Sequence, residues 1–355
     1  MSGENEVELR ARWLEKASGA TSRRDAMLVR LRDSCRPGSD DRPRVLDLSG
    51  IDLSGEDLSG LDLSGYDLSS ANLSGCRLQR CNLSFARLDR ALLQKAVLDG
   101  AELIGASLRD AVLDQCRAHS AGLGGADLEG ARMVDALLEN STLSKSSLRK
   151  VDARAVKLRG ARLAEADLSG ARFTRADLRD GDLKSARVDG ASFDLADLRG
   201  ARLMDLVGFR SANWIGADIR DIDLRGAYLV RRHVEDENYL FEFRRRDRLH
   251  ALIYWIWWLS SDCGRSMGRW SLVLAVVVMV FGVLYRLAGV DFGSSDGPLA
   301  PFYFSIVTLT TLGYGDIIPR TTLTQILASL EALLGYIGLG GLLSILANKM
   351  ARRAE

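Results

Sequence analysis

Leucine recurs at every fifth residue through much of this chain, and this period limits the fold more than any other feature. Of the 32 positions spaced by five from residue 48 to residue 203, 26 hold Leu. Two residues before them the sequence favours Ala, as at Ala71, Ala86 and Ala161. A period of five fits neither a helix, which repeats every 3.6 residues, nor a strand, whose side chains alternate. The chain must therefore turn a corner every five residues and direct one large and one small apolar side chain inward each time.

The repeated motif appears as ADLSG, ANLSG and ADLRG, and it resembles the pentapeptide-repeat family across residues 46–231. The resemblance implies a right-handed quadrilateral β-helix, with four repeats to a coil, which we assign to residues 44–231. About nine coils spaced by ~4.8 Å would make a rod on the order of 45 Å long. One residue is inserted near Met204–Val207, and we expect it to form a bulge or loop at one corner. After it the register resumes at Phe209, Trp214, Ile219, Leu224 and Leu229.

Residues 1–43 are predicted to form a helical cap over the first repeat, because stacked repeats need their open end covered. Ser22 and Asp25 resemble a capping box in front of an apolar run. The chain has five cysteines. Without metal-type spacing, they are expected to be free, buried thiols. Three take the small-residue slot of the repeat: Cys76, Cys81 and Cys116.

Charge is distributed unevenly, although the whole chain has a net charge of only +1. Almost all of it precedes Arg269, and the remainder is largely apolar, which indicates a region in water followed by a region in a membrane. We predict an outer helix at residues 270–290 and an inner helix at residues 321–348, both in contact with a lipid bilayer. The near-neutral balance argues against a nucleic-acid partner, since such proteins usually carry a basic excess.

The charges beside the two predicted spans predict their orientation. Arg265 and Arg269 precede the first span, and Lys349, Arg352 and Arg353 follow the second. Because basic residues stay on the cytoplasmic side, both termini and the repeat domain are expected in the cytoplasm. We expect a multi-pass protein of the plasma (inner) membrane.

Residues 232–269 form the predicted helical linker between the repeats and the first span. Its apolar run, residues 251–259, is too short to cross a ~30 Å hydrocarbon core. Three Trp and one Tyr close to Arg244-Arg245-Arg246 favour an interfacial helix, with rings at the headgroup boundary and cations on the phosphates. A core helix packed on the repeat rod is the alternative.

Between the predicted spans lies a short helix, residues 299–310, whose start is favoured by Pro298 and Pro301. The sequence TLTTLGYGD that closes it resembles the signature of the tetrameric potassium channels. With a span on each side, residues 270–348 resemble the two-transmembrane class, an all-α pore. The resemblance implies that transported potassium ions replace their water with oxygens of the filter, residues 311–315. These residues are Thr311, Leu312, Gly313, Tyr314 and Gly315.

One filter strand cannot surround an ion, so four chains are expected to assemble, most simply as a homotetramer. The resemblance also implies that Tyr314 braces the filter against Tyr303 and Phe304, and that Asp316 lies behind it. The chain departs from the family pattern twice. Leu312 stands where Val is usual, so selectivity could soften. Val307 stands where some members have an acid that pairs with Asp316, so Asp316 needs another partner.

The inner helix contains four glycines that permit two interpretations. They are either a gating hinge or sites of close helix packing. They are Gly335, Gly338, Gly340 and Gly341. Glu331 is the one charged residue of this predicted span, and intramembrane acids are functional candidates. We expect it to bond to the pore-helix region of its own or a neighbouring chain.

The leading hypothesis is a potassium-selective channel whose cytoplasmic repeat domain regulates or anchors the pore, with an unknown cytoplasmic protein as a partner. A weakly selective cation channel is an alternative. Another is a protein-binding module, either a scaffold or a DNA mimic. A DNA mimic needs an acidic rod, whereas residues 44–231 carry 27 basic and 28 acidic residues. No nucleophile triad or phosphate loop is visible, so an enzyme is not expected.

Overall fold

The computed structural model describes Ala11, Trp13 and residues 23–34, 47–223, 225–293 and 297–354. It divides into two units, Met1–Tyr239 and Leu240–Glu355. The predicted capping box at Ser22 lies outside the described residues, as does the repeat position Leu224.

Residues 47–223 wind into a coil with twenty residues per turn. A bridging residue in each repeat pairs in parallel with the residue twenty positions later, beginning with Asp47 and Asp67. Four repeats thus complete one turn, which is the predicted number. Within this part of the chain the bridging residues stand singly between turns, so no longer strand forms.

A tight turn closes each corner of the coil. In one repeat, for example, the amide of Ala71 donates to the carbonyl of Leu68 at 3.0 Å. The residue before each such amide has a left-handed backbone, which glycine adopts without steric penalty, as at Gly60 with φ 71°. At other corners ordinary residues do the same, including Arg80 with φ 56°. The repeated inter-coil hydrogen bonds hold these residues in a conformation that they disfavour in isolation.

The interior of the coil is filled by stacked leucines and alanines that are almost completely buried. Near the C-terminal end of the coil, aromatic side chains take the place of Leu. The rings of Phe173 and Phe193 stack with centroids 5.5 Å apart, and those of Phe193 and Trp214 with centroids 4.5 Å apart. Cysteines in the small-residue slot are free, and burial raises the pKa of Cys76 and Cys81 to about 11.

The inserted residue lies a few positions later than the sequence predicted. Arg187 pairs with Val207, twenty residues on, whereas Ser192 pairs with Asn213, twenty-one residues on. The extra residue therefore falls between Val207 and Asn213 rather than near Met204–Val207. The corner widens there because Gly208 takes φ 79° and its carbonyl accepts from the amide of Ser211 at 3.0 Å.

Helix α1, Arg23–Ser34, lies at the first coil of the repeats. Its Leu28 and Leu31 are buried in the same core cluster as the first leucines of the coil. The indole N–H of Trp13 donates to the carbonyl of Ser49 at 2.9 Å. These side chains cover apolar surface that the first coil would otherwise leave open.

Helix α2, Tyr228–Arg245, begins before the predicted end of the repeats at residue 231. Leu229, predicted as an interior repeat position, is 57% exposed on this helix. The last bridge joins Arg202 to Asp223, so no further coil follows for Leu229 to pack against. Instead Val230 and Val234 of α2 are buried in the core cluster of the coil.

The second unit is helical, and the described part of it contains four further helices. They are α3 (Arg248–Ser261), α4 (Met267–Leu287), α5 (Ala300–Leu309) and α6 (Thr322–Ala354). Helix α4 starts three residues before the predicted outer helix, and α6 extends six residues beyond the predicted inner helix. Met267–Leu287 and Thr322–Ala347 are long and apolar enough to cross a membrane. Only 11% and 17% of the most apolar stretch of each helix is buried, unlike core helices of a soluble protein.

Candidate functional site

Helix α5 is the short helix between the two long apolar ones, and one of its faces is buried against them. It has Pro301 in its first turn, where the missing N–H has no cost. Phe304 packs edge-on against Tyr285 of α4, with ring centroids 4.8 Å apart. The surrounding apolar cluster includes Val290 and Ile317. This packing fixes α5, and α5 in turn fixes where the next loop begins.

The sign of φ alternates along the loop after α5. Thr311, Gly313 and Gly315 have φ of 56°, 53° and 78°, whereas Leu312 and Tyr314 do not have positive φ. An extended strand points successive carbonyls to opposite sides. Alternation between positive and negative φ can turn successive peptide groups towards the same side. All five residues are exposed in the single chain. The loop can therefore present a row of carbonyl oxygens.

Two other features of the loop suit a cation. Helix α5 ends at Leu309, immediately before the loop, and the carbonyl end of a helix carries partial negative charge. Asp316 follows the loop and accepts a hydrogen bond from the hydroxyl of Tyr303 at 2.8 Å. Tyr303 is thus a partner for Asp316, which Val307 cannot be.

The predicted brace around Tyr314 stays a prediction. Tyr303 is bonded to Asp316, and Phe304 lies in the apolar cluster with Tyr285. Tyr314 itself is largely exposed in the single chain.

Glu331 is completely buried and joins three helices. From α6 it accepts a hydrogen bond from the hydroxyl of Tyr285 on α4 at 2.5 Å. It also accepts one from the hydroxyl of Ser305 on α5. Burying an acid in an apolar region is costly unless its oxygens are bonded, and here both oxygens are. The bond near the pore helix was expected, and it is made within one chain.

The four glycines of α6 have different surroundings. A Cβ on Gly335 would collide with the carbonyl of Leu309 at the end of α5. A Cβ on Gly338 or Gly341 would collide with side chains of α4, whereas Gly340 has open space around it. Close packing therefore accounts for three of these glycines in this conformation, and α6 is continuous through all four.

Sequence reasoning did not identify Tyr285, Ser305 and Trp270. Tyr285 and Ser305 are the donors to Glu331, and Trp270 donates to the carbonyl of Gly338 at 2.7 Å. A signal was available for the first two, since polar residues in apolar helices generally face protein rather than lipid. It did not indicate which helix each would face.

Two family models match this chain, and they match different parts of it. Pentapeptide repeats match residues 47–84, 81–117, 121–160 and 157–200. The model described as an ion channel matches residues 273–352.

Among characterised proteins, the chain is similar to the A-type voltage-gated potassium channel KCND3 of Rattus norvegicus and of Homo sapiens. Each is 28% identical over 130 residues, which is 37% of this chain and 20% of the relative. The match thus spans a fifth of the length of these relatives.

Among solved structures, the chain is similar to the following two proteins. One is HetL, a pentapeptide repeat protein from Nostoc sp. strain PCC 7120, at 25% identity and a TM-score of 0.33, covering 55% of this chain and 96% of HetL. Another is QnrB1, a plasmid-mediated fluoroquinolone resistance protein, at 23% identity and a TM-score of 0.41, covering 54% of this chain and 97% of QnrB1.

Proposed function

Because this chain joins pentapeptide repeats to an ion channel domain, we propose that it conducts potassium ions as a homotetramer. Its repeat domain regulates or anchors the pore and offers a surface to a cytoplasmic protein. Neither family is an enzyme family, and the proposed activity is passage of an ion rather than a reaction.

The alternating backbone from Thr311 to Gly315 is the observation that carries this proposal. A row of carbonyls on one side of a loop is what a dehydrated potassium ion needs from each subunit. The φ values of 56°, 53° and 78° at every second residue support such a row. In this proposal the carbonyls of residues 311–314 and the hydroxyl of Thr311 hold the ions, and Asp316 supports them from outside.

Assembly and orientation follow from the same premise. Each chain supplies one filter segment, so four copies must meet around an axis for oxygens to surround the ion. In this proposal helices α4 and α6 cross the bilayer. Basic residues are found at the start of α4 and at the end of α6, and such residues stay on the cytoplasmic side, so both termini are assigned to the cytoplasm. The repeat coil, taken as right-handed and quadrilateral, then lies in the cytoplasm.

Helix α3 is the proposed interfacial lever between the repeats and the pore. Within its own unit only Ser261 is buried, although α3 is mostly apolar. The guanidinium of Arg244 lies 5.6 Å from the ring centroid of Tyr254 and 5.2 Å from that of Trp255. Aromatic rings beside cations are suited to the headgroup boundary of a membrane.

The test is reconstitution of the purified chain into potassium-loaded liposomes, with flux measured under a potassium and then a sodium gradient. We expect potassium flux that greatly exceeds sodium flux, together with a cross-linked mass of four chains. A monomer in lipid, or flux equal to that of protein-free liposomes, would contradict the proposal.

Removal of residues 1–230 tests the regulatory role of the repeats. It should alter open probability and leave selectivity unchanged, and unchanged gating would reject the regulatory role.

A weakly selective cation channel is the second candidate, and Leu312 is the residue that favours it. Its side chain is larger than the usual Val and is 59% exposed in the single chain. The ratio of potassium to sodium permeability separates the two candidates. If Leu312→Val raises this ratio several-fold, the side chain at this position weakens selectivity.

A further inference from the structure

The first turn of α4 is hydrogen-bonded to the backbone of α6. The indole N–H of Trp270 donates to the carbonyl of Gly338 at 2.7 Å, across 68 residues of chain. Inside a regular helix this carbonyl already accepts from its own helix, so the indole uses the second lone pair. The bond therefore depends on how α4 and α6 are placed relative to each other at this point.

Glycines allow the two helices to approach here. A Cβ on Gly341 would lie 2.7 Å from Cζ2 of the Trp270 ring. A Cβ on Gly338 would collide with Leu274, one turn further along α4. Gly340 has open space instead. Leu274 thus packs against Gly338, and Trp270 packs against Gly341. A methyl group at either glycine would force α6 away from α4.

The position of Trp270 in the chain links this contact to the segments that precede α4. Trp270 lies in the first turn of α4, where the chain arrives from the repeats through α2 and α3. Ser266 caps this turn by accepting from the amide of Arg269 at 3.3 Å. The Arg269 guanidinium lies 5.5 Å from the ring centroid of Trp258 on α3. This contact connects α3 to the turn that carries Trp270.

We propose that Trp270 is a latch between the N-terminal end of α4 and the segment Gly338–Gly341 of α6, and that it regulates opening of the proposed pore. The link to opening rests on the proposed function, whereas the latch contact does not. Trp270 is a positioning residue, because it acts through the backbone of α6 and not on the ion. In this proposal the latch is the route by which the repeats, attached ahead of α4, would regulate α6.

The contact is tested first without ion flux, by hydrogen–deuterium exchange of the full chain in liposomes. Trp270→Phe removes the N–H and keeps an aromatic ring, and Gly341→Ala displaces the ring. Ser271→Ala removes a hydroxyl from the neighbouring, exposed position of α4 and is the control. In both test variants the amides of residues 338–345 should exchange about threefold faster, the effect of one modest intramembrane hydrogen bond. Exchange equal to that of wild type and control overturns the latch.

Regulation is tested by single-channel recording of the same variants in planar bilayers. Trp270→Phe should change the closed-to-open ratio by about threefold for each chain, with the permeability ratio unchanged. The double variant Trp270→Phe with Gly341→Ala should change the closed-to-open ratio only slightly more than the stronger single variant does. The reason is that both substitutions remove the same contact. Altered selectivity, or two effects that simply add, would overturn the latch. A wild-type protein that passes no potassium refutes the proposed function instead, and the exchange result then decides the contact.

Discussion

The repeat coil and the pore region bury their side chains by contrasting means. In the coil each contact has many equivalents, such as the amide of Leu68 bonded to the carbonyl of Arg87 at 2.7 Å, repeated at almost every coil. In the pore region each contact is individual, and the described residues contain no series of equivalents. Glu331 bonded to Tyr285 and Ser305 is one example, and Trp270 bonded to Gly338 is another.

This difference predicts how each region responds to substitution. In a stack of repeats a changed residue disturbs mainly the coils above and below it. In the pore region a changed residue removes a contact that has no equivalent among the residues that the structure describes. The coil should therefore lose stability locally and keep function, whereas the pore should lose function abruptly.

The largest expected effect is that of Gly313→Val on ion flux. Val disfavours the left-handed backbone strongly, and φ at this residue is 53°. Its side chain would also crowd the proposed row of carbonyls. We expect potassium flux to fall to the level of protein-free liposomes. The control is Gly289→Val, which has φ 68° and open space, but lies outside the filter. Normal flux in Gly313→Val would refute the filter assignment.

The next effect in size is that of Phe193→Ala on the coil. Phe193 lies between Phe173 and Trp214 in the interior stack, so its loss leaves a cavity. The free energy of unfolding should fall by about 3–5 kcal/mol. Chemical denaturation followed by circular dichroism measures it, with potassium selectivity expected to stay unchanged. Phe85→Ala, at a surface corner, should cost about 0.5 kcal/mol or less. Equal losses in the two variants would contradict the assigned interior.

Glu331→Leu should have a comparable effect on stability, and it tests a contact of the pore region. It leaves the hydroxyls of Tyr285 and Ser305 buried without this acceptor, at about 1–3 kcal/mol for each unsatisfied group. Glu331→Gln keeps one carbonyl acceptor and should lose less. The melting temperature of the detergent-solubilised assembly measures both. Ser329→Ala on the same helix is the control, and indistinguishable melting of all three variants would argue against the three-helix junction.

The smallest expected effect is the pH dependence of the coil. Asp197 is bonded by Arg199 at 2.7 Å, and this bond holds the pKa of Asp197 below its ordinary value of 3.8. Arg225 likewise lowers the pKa of Asp223 to about 2. A lowered pKa in the folded state stabilises the coil above pH 4, and this stability is lost as the pH falls towards 2.

Exposed ion pairs contribute little, so the shift in melting temperature should be modest. Circular dichroism melts at pH 7, 4 and 2.5 measure it, and Asp197→Asn should flatten the decline. If the Asn variant declines as steeply as wild type, this pair makes no contribution.

The sequence predicted the coil in more detail than the pore. Every fifth residue from Leu48 meets the same interior, so one rule placed most of the core. The rule was wrong where it stopped being periodic, at the insertion beside Gly208 and at Leu229. Both depend on how the chain continues where the regular repeats are interrupted or end, and a five-residue period does not predict this.

In the pore region, composition located the helices but not their contacts, and the filter at residues 311–315 stays a prediction. The positive φ of Thr311 was not anticipated, because β-branched residues avoid that backbone. The donors to Glu331 depend on which faces of α4 and α5 meet α6. Trp270 resembles the tryptophans of α3 in type, yet it is bonded to a helix far along the chain.

The twenty-residue turn has a consequence for how such chains can grow or shrink. One repeat advances the backbone by a quarter of a revolution about the long axis, and four repeats return it to its starting direction. Duplication of twenty residues would lengthen the coil and leave the heading of the chain towards α2 unaltered. Loss of a single repeat would swing that heading by about 90°, since each repeat forms one of the four sides. Viable length variants should therefore differ by multiples of four repeats.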